Sequence, residues 1–319
     1  MSERQISQRD SLLERIWHEM KIDTRIFFLS GDFGSPVIDK IKADFPDRFI
    51  NVGIAEQNLI NISAGLALEG FKVFAYAIAP FITMRCFEQI RVSLALLSEV
   101  RNLNVTLIGV GAGYSYVVSG PTHQCYEDIS IMRSIPNVDI YSPSDHISSE
   151  RVFNLCHHDG VKYIRLDAQV LPSLANQDEF LEKGFNIRRL SDNPKVLFVS
   201  TGYMTHTSLN ISKSLQKKGI ESTVVDLINL TNFSYGELLK LTKNVEIIAT
   251  CEEGFIERAG LDSIISSFIR EFDLPCKMLC FGLPPVYSFD LGTREELHNN
   301  AGIGNKQILD DILRRLGKL

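Results

Sequence analysis

Short apolar runs alternate with segments of helical periodicity along most of this 319-residue chain. Residues 25–30 read Arg-Ile-Phe-Phe-Leu-Ser, which is typical of a parallel strand covered on both faces, and residues 9–20 carry apolar side chains at helical spacing. Such alternation predicts a doubly wound, mostly parallel sheet of the α/β class. Further strands are predicted near residues 49–53, 72–78, 104–110, 138–142 and 162–166, and helices near 56–69, 83–98, 124–134 and 147–157.

The alternation fades between Ala168 and Asn193, where polar residues replace the periodic apolar ones. Because the chain is longer than one average domain, this stretch predicts a domain boundary. A second α/β series follows, with strands near 196–201, 221–227, 245–252 and 277–281 and helices near 205–218, 235–243, 257–272 and 305–316. We therefore predict two α/β domains, each a doubly wound and mostly parallel sheet, at residues 1–180 and 190–319.

The charge and composition of the chain exclude several classes of partner. Its formal net charge is -6 and it has no long basic run, so the electrostatic footprint that nucleic acid or an anionic membrane requires is missing. The first residues lack the layout of a signal peptide, and no run approaches the roughly 18 apolar residues of a membrane helix. The six cysteines are scattered without metal-ligand spacing. We therefore expect a cytoplasmic protein with reduced thiols and no metal ligands of its own.

A glutamate at a predicted strand-to-helix junction is the first candidate for a functional residue. Glu56 lies in the run 50–58, Ile-Asn-Val-Gly-Ile-Ala-Glu-Gln-Asn, among small or apolar neighbours. A carboxylate at a helix start gains about 0.3 to 1 kcal/mol simply by facing the positive end of the helix dipole, so Glu56 could have no other role. A desolvated carboxyl, however, has a raised pKa and can stay protonated near neutrality. The apolar neighbours favour this second interpretation.

Two further runs accompany the Glu56 run. Residues 71–81 form an aromatic-rich strand and turn followed by Arg85, and residues 119–124 read Ser-Gly-Pro-Thr-His-Gln. Together the three runs resemble the pyrimidine-binding half of the transketolase family of thiamine diphosphate enzymes. The resemblance extends from about residue 8 to the end of the chain. It implies a thiamine diphosphate pyrimidine-binding fold followed by a transketolase C-terminal-like domain.

The resemblance also implies roles for individual residues. The family glutamate at the position of Glu56 hydrogen-bonds a ring nitrogen of the aminopyrimidine and so activates the cofactor, and the histidine at the position of His123 handles the substrate beside the thiazolium. Both are therefore the predicted catalytic residues. The implied cofactor-binding set is Glu56, Ile78, Phe81 and Arg85. The implied substrate-binding set is Ser35, Ser119, His123 and Arg165.

Position alone supports plainer interpretations of the same residues. An aromatic cluster such as the one around Phe81 usually belongs to a core. A lone histidine at the start of a helix, as predicted for His123, is more often a cap or a surface residue. Arg165 could bind a substrate phosphate with its guanidinium fork, although an arginine that ends a strand is more often a surface ion-pair partner.

The chain departs from the family at three positions that bear on its ligands. Ser119 stands where transketolases usually have an aspartate that holds a donor hydroxyl, and Gly111 stands where they tend to place a histidine. Ile78 replaces a more usual aromatic residue and offers only aliphatic packing. The residues that bind and activate the cofactor are thus expected to be retained, whereas part of the set that holds the sugar donor is expected to differ from the family. This indicates a modified or unusual sugar and leaves the reaction type open.

The sequence lacks a convincing site for the diphosphate of the cofactor. The two phosphates need a divalent cation such as Mg²⁺, held by an acidic motif of the Gly-Asp-Gly type. Residues 31–34, Gly-Asp-Phe-Gly, are the nearest match, but they lack the following glycine and lie where the pyrimidine-binding domain should begin, so we reject them as this site. In split members of the family a separate, larger subunit carries this half. The resemblance therefore implies a larger partner that holds the Mg²⁺, in an α2β2 heterotetramer.

We accordingly predict the small subunit of a split transketolase-like enzyme, a thiamine diphosphate-dependent transferase that moves a two-carbon ketol unit between sugar substrates and is active only with its partner. One alternative is a decarboxylating enzyme of the deoxyxylulose phosphate synthase or keto-acid dehydrogenase type. The intact run 122–124, Thr-His-Gln, argues against the dehydrogenases. Another alternative is a non-catalytic partner subunit. Retention of Glu56 argues against it, because a buried carboxyl without a partner costs stability.

Overall fold

The computed structural model describes residues 6–174 and 180–319, which form two compact units. The first unit comprises the described residues up to Ala112 together with Ile131–Ser173. The second comprises Gly113–Ser130 together with the described residues from Leu174 to Leu319. Residues 113–130 thus lie in the second unit, whereas the domain limits of 1–180 and 190–319 assign them to the first domain. The exact domain limits stay a prediction.

A six-stranded parallel sheet forms the centre of the first unit, in the order β2-β1-β3-β4-β6-β5. Every residue of the central strand β4 is buried, as its continuous apolar run predicts. The strands are β1 (Ile26–Ser30), β2 (Phe49–Asn51), β3 (Lys72–Ile78), β4 (Asn104–Val110), β5 (Val138–Tyr141) and β6 (Gly160–Leu166). The predicted strands of this half are all present.

The helices of this half are α1 (Gln8–Met20), which precedes β1, and α2 (Pro36–Asp44), α3 (Glu56–Leu68), α4 (Phe87–Gln89), α5 (Asp128–Arg133) and α6 (His146–Val152), which lie between the strands. The first residues of α5, up to Ser130, belong to the second unit. The single helix predicted near 83–98 is instead α4 flanked by π-helical turns at Phe81–Arg85 and Ile90–Leu96. Insertions of this kind are frequent at functional sites. The first of them contains both Phe81 and Arg85.

The prediction of a helix near 124–134 is wrong at its start. The helix α5 begins at Asp128, and residues 113–127 form an irregular segment. His123 therefore lies in a loop and does not begin a helix. A backbone bridge between Gly113 and Cys125 diverts this segment from helical geometry.

The second unit is built on a five-stranded sheet in the order β11-β10-β8-β9-β7. Its strands are β7 (Phe185–Arg189), β8 (Val196–Ser200), β9 (Ser222–Leu227), β10 (Ile247–Phe255) and β11 (Lys277–Leu283). Only β7 pairs antiparallel among the described strands. It lies inside the stretch that the sequence analysis treated as a boundary. Both units therefore confirm the predicted fold class of two mostly parallel α/β sheets.

The helices of the second unit are α7 (Phe180–Lys183), α8 (Met204–Gln216), α9 (Tyr235–Lys240), α10 (Leu261–Glu271), α11 (Arg294–Asn300) and α12 (Asn305–Arg315). The sequence analysis predicted neither α7 nor α11. α11 begins with a capping box in which the Thr293 hydroxyl accepts from the Glu296 amide and the Glu296 carboxylate accepts from the Thr293 amide. Over the two described ranges, no helix combines the length and the apolar character that crossing a membrane demands.

Candidate active site

Glu56 is buried at the first turn of α3, directly after β2, and is only 1% exposed. A β-carbon placed on Gly31, which follows β1, would lie 3.7 Å from the Glu56 Cγ and 3.5 Å from the Ala77 Cβ in β3. The carboxyl group therefore lies among the carboxyl ends of β1, β2 and β3. Open parallel sheets bind their ligands at this edge. The helix start and the burial both match what the sequence predicts for Glu56.

Arg85 contacts the buried carboxyl directly, with its Nη1 2.6 Å from the Glu56 Oε2. The Arg85 side chain is 44% exposed, and its Cζ lies 4.5 Å from the centre of the Phe81 ring. The carbonyl of Arg85 accepts a hydrogen bond from the Gln57 side chain at 3.2 Å. The small and apolar neighbours of Glu56 in sequence do not reveal this ion pair, although the resemblance places Arg85 in the same cofactor-binding set as Glu56. The Arg85 guanidinium joins Glu56 and Phe81 into one cluster.

The thiol of Cys86 lies behind this cluster. Its Sγ is 2.7 Å from the Ile82 carbonyl oxygen, and the side chain is fully buried. Burial, reinforced by the nearby charge of Glu56, raises the pKa of Cys86 to about 12. The thiol is therefore neutral and unreactive at physiological pH.

Ile78 and Arg165 lie at the same end of the sheet, in different strands. Ile78 ends β3, where it pairs with Val110, and is buried. Arg165 lies in β6 opposite Gly109 and is only 3% exposed. Its burial contradicts the surface position that the alternative interpretation of Arg165 assumed. A buried guanidinium next to the ligand-binding edge of a sheet suits recognition of an anion.

The loop after β1 uses its polar groups to hold its own shape. Asp32 adopts a positive φ of 63°. The Asn51 Oδ1 accepts from the Asp32 amide at 3.1 Å, and the Asn51 Nδ2 donates to the Asp32 carboxylate at 2.9 Å. Ser35 caps α2 by accepting from the Ile38 amide at 3.2 Å. Turn and cap chemistry thus accounts for Asp32 and Ser35, and substrate contact by Ser35 stays a prediction.

Ser119 and His123 lie in residues 114–124, here called the 114–124 loop, which belongs to the second unit. The Gly113 and Cys125 backbones exchange hydrogen bonds of 2.8 and 3.2 Å and close this loop. Gly120 has a φ of +68° and its carbonyl accepts from the His123 amide at 3.1 Å, which forms a tight turn. The loop thereby presents Ser119 exposed and His123 half-buried.

The eight predicted site residues divide between the two units. Within the first unit Glu56, Phe81 and Arg85 form a contact cluster. The first unit holds Ser35, Glu56, Ile78, Phe81, Arg85 and Arg165, and the second holds Ser119 and His123. The predicted roles of these residues in cofactor and substrate binding stay predictions.

A buried charge cluster in the second unit escaped the sequence analysis. Glu253 in β10 receives two hydrogen bonds from Arg294, of 2.8 and 2.5 Å, and lies 2.5 Å from the His298 Nε2. Burial by itself opposes ionisation, but Arg294 and His298 outweigh it and hold the pKa of Glu253 well below its ordinary value. The acidic pair Glu252-Glu253 near the end of the apolar strand β10 is the sequence signal that could have revealed it. Among the described residues, no group of three or more His, Cys, Asp or Glu side chains could hold a metal ion.

Comparison with known proteins identifies the family. Residues 4–172 match the family model described as transketolase, pyrimidine binding domain, and residues 186–308 match transketolase, C-terminal domain. The chain belongs to the transketolase family. This confirms the resemblance carried by the Glu56, Phe81 and His123 runs.

Relatives of similar length and one solved structure agree with this assignment. The chain is 31% identical to an apulose-4-phosphate transketolase subunit of Actinobacillus succinogenes, with 84% of each protein covered. It is 28% identical to the 6-deoxy-6-sulfo-D-fructose transketolase subunit SqwH of a Clostridium species, over 94% of this chain and 92% of that protein. A solved structure described as a split gene transketolase, inactive beta4 tetramer, superimposes with a TM-score of 0.84 at 27% identity and covers 98% of this chain and 99% of that one.

Proposed function

We propose that this chain is the small subunit of a split transketolase-like enzyme, which transfers a two-carbon ketol unit between sugar substrates with thiamine diphosphate. The observation that carries the proposal is the buried carboxyl of Glu56 at the ligand-binding edge of a sheet in a pyrimidine-binding domain. Relatives that match this chain over most of their length are named as subunits of transketolases. These names support a subunit role.

The residues of the first unit fit the pyrimidine half of the cofactor. A buried carboxyl can hold a proton between one of its oxygens and a ring nitrogen, and the Phe81 face provides an apolar wall for an aromatic ring. Ile78 adds aliphatic contact at the end of β3. When bound, thiamine diphosphate supplies the carbon nucleophile for ketol transfer. In this proposal Arg85, which is half exposed, moves aside or shares the carboxyl.

The substrate side of the site supports an anionic sugar. Arg165 is buried in β6, and its planar guanidinium matches a phosphate or sulfonate group. The relatives' names specify a phosphorylated sugar in one case and a sulfo sugar in the other. We therefore propose a sugar substrate that carries such a group, with His123 and Ser119 handling its hydroxyls.

The diphosphate and its Mg²⁺ are proposed to be held by a larger partner subunit. Support comes from the relatives named as transketolase subunits and from the solved split-gene chain, whose tetramer of β chains alone is described as inactive. An α2β2 complex that is active only as a pair is the assembly we propose.

A decarboxylating reaction is the second candidate. Gly111 has a φ of +100°, a conformation that L side chains rarely adopt, so a histidine could not replace it without a backbone change. At positions 111 and 119 the chain thus lacks the histidine and the aspartate with which the family grips a ketose donor. A donor that loses carbon dioxide would not need them.

The decisive test is an assay of the chain mixed with its partner subunit. Sugar phosphates and sulfo sugars are offered as donors with an aldose acceptor, and 2-oxo acids are offered in parallel with measurement of released carbon dioxide. Ketol transfer without carbon dioxide supports the proposal. Carbon dioxide release alone supports the decarboxylase, and cofactor binding with no turnover of either kind supports a non-catalytic subunit.

A further inference from the structure

The 114–124 loop is attached to the second unit by its base. The Gly113–Cys125 bridge closes the loop, and the residues flanking it enter the core of the second unit. Tyr114 and Tyr126 are buried there with their rings edge to face at 5.4 Å. The Tyr126 ring also packs 5.1 Å from Phe255, whose amide donates to the Tyr126 carbonyl at 3.3 Å.

Glu253 contacts the backbone at the base of the loop, at Gly113 and Tyr114. Its Oε2 accepts from the Tyr114 amide at 3.3 Å. Gly113 has a φ of +55°, and a β-carbon placed on it would lie 2.2 Å from the same oxygen, which is far too close. The carboxylate therefore occupies the space that a side chain at position 113 would need. Any displacement of Glu253 changes the backbone at which the loop begins.

The position of Glu253 is in turn fixed by the first and second turns of α11. Arg294 forms a forked pair with the carboxylate, and its Cζ lies 3.7 Å from the centre of the Tyr203 ring. His298 contacts the other side of the carboxylate, and its ring lies against both Tyr203 and Tyr114 at 5.4 and 5.9 Å. The side chains of Glu253, Arg294 and His298 are each 5% exposed or less. A bidentate pair enclosed in this way has one geometry.

We propose that Glu253 is a positioning residue, which holds the base of the 114–124 loop in the geometry that presents His123 to substrate. Glu253 would thereby act on the reaction through the loop and not through its own contact with the sugar. That the loop handles substrate rests on the proposed function. The anchoring itself rests only on the contacts within the second unit.

Hydrogen exchange on the chain complexed with its partner tests the anchoring directly. In Glu253→Gln the side-chain shape is kept and the charge is lost, so amides of residues 114–124 should exchange about tenfold faster or more. The matched control is Asp226→Asn. Asp226 in β9 forms an equally buried pair with Arg188 in β7. In the sheet, β9 lies on one side of β8 and β10, which carries Glu253, lies on the other. This control should leave exchange in the loop unchanged even if it lowers overall stability.

A second variant approaches the same contact from the loop. Gly113→Ala keeps the Glu253–Arg294–His298 cluster but forces a methyl group against the carboxylate. It should accelerate hydrogen exchange in the amides of residues 114–124. If Glu253→Gln does not fold, Gly113→Ala is the variant that tests the anchoring of the loop. Unchanged exchange in residues 114–124 of a folded Glu253→Gln or Gly113→Ala variant would overturn the proposal.

Kinetics separates this inference from the proposed function. Both variants should raise KM for the donor sugar several-fold, while the cofactor concentration for half-saturation stays within about twofold. If both variants loosen the loop but the parent complex transfers no ketol unit, the proposed function fails and the anchoring stands. An equal loss of cofactor affinity and of donor affinity would contradict a role limited to the loop.

Discussion

The carboxylate of Glu56 and the guanidinium of Arg85 lie 2.6 Å apart, although the glutamate is buried and the arginine is 44% exposed. A charge-assisted hydrogen bond of this length is stronger than a neutral one. Arg85 also covers the Phe81 ring. One half-exposed side chain thus links the acid to the aromatic wall of the proposed pyrimidine site, and we propose that it moves toward solvent when a ligand reaches the carboxyl.

The first prediction concerns this ion pair. Arg85→Ala should lower the free energy of unfolding by about 1–2 kcal/mol, because it leaves the Glu56 carboxyl buried without its partner while half of the arginine was already solvated. Urea unfolding measures the effect. Arg91→Ala is the control, because its pair with Glu88 is exposed on both sides and its loss should change stability far less. Equal effects of the two substitutions would show that burial of Glu56 adds nothing to the pair.

The second prediction concerns His123. In the complex with the partner subunit, His123→Ala should impair use of the donor sugar by about 100-fold in kcat/KM and leave thiamine diphosphate affinity almost unchanged. His158→Ala is the control, since His158 pairs with Asp139 on the surface of the first unit. Steady-state kinetics and calorimetric titration give the two numbers. A dominant loss of cofactor binding in His123→Ala would contradict the proposed placement.

The third prediction compares two glycines in the first unit. A β-carbon on Gly109 would lie 2.8 Å from the Tyr163 ring, so Gly109→Ala should cost about 1–3 kcal/mol through overpacking. Gly65 lies inside α3 with no atom within 4 Å of the same position, so Gly65→Ala should stabilise the chain by about 0.5–1 kcal/mol. The midpoint temperature of thermal unfolding should therefore fall in Gly109→Ala and rise in Gly65→Ala. A shift of the same sign in both variants would mean that the packing around β4 differs from that described.

The fourth prediction concerns acid stability. Since the pKa of Glu253 is lower in the folded chain than in the unfolded chain, its contribution is complete above the unfolded value of about 4.3 and is lost as the pH falls below it. Glu253→Gln should therefore flatten the dependence of unfolding free energy on pH between about pH 5 and pH 2. Glu237→Gln removes an exposed carboxylate paired with Lys240 and should leave that slope nearly unchanged. A slope in Glu253→Gln as steep as in the parent would count against the buried pair.

The sequence predicted the parallel strands well because most of them, such as β4 and β10, are largely apolar runs that the sheet buries along their whole length. It missed β7 for the opposite reason. Phe185–Arg189 is a short antiparallel strand at the sheet edge, half-buried at its end and surrounded by polar residues, so it lacks that signal. The helix α2 was not predicted from the sequence. Proline is common at the first position of a helix, but Pro36 indicates a helix start only if Ser35 is recognised as the N-cap residue.

The sequence predicts those parts of the site whose position depends on residues close by in the chain. Glu56 begins a helix after a strand, and both features depend on neighbouring residues. Arg85 as its partner depends on a π-helical turn that periodicity does not reveal. The Glu253 cluster unites side chains that are 41 and 45 residues apart in sequence, which only the tertiary fold brings together.

We propose that Glu56 holds the proton which activates the cofactor, and its replacement by glutamine removes that proton without removing side-chain volume. Glu56→Gln keeps the size of the side chain, so the complex with the partner subunit should assemble and still bind thiamine diphosphate. Its turnover should fall by at least about 100-fold, whereas Glu88→Gln, an exposed glutamate, should retain full activity. Turnover of Glu56→Gln at the parent rate, measured in an assembled complex saturated with cofactor, would show that Glu56 does not supply this proton.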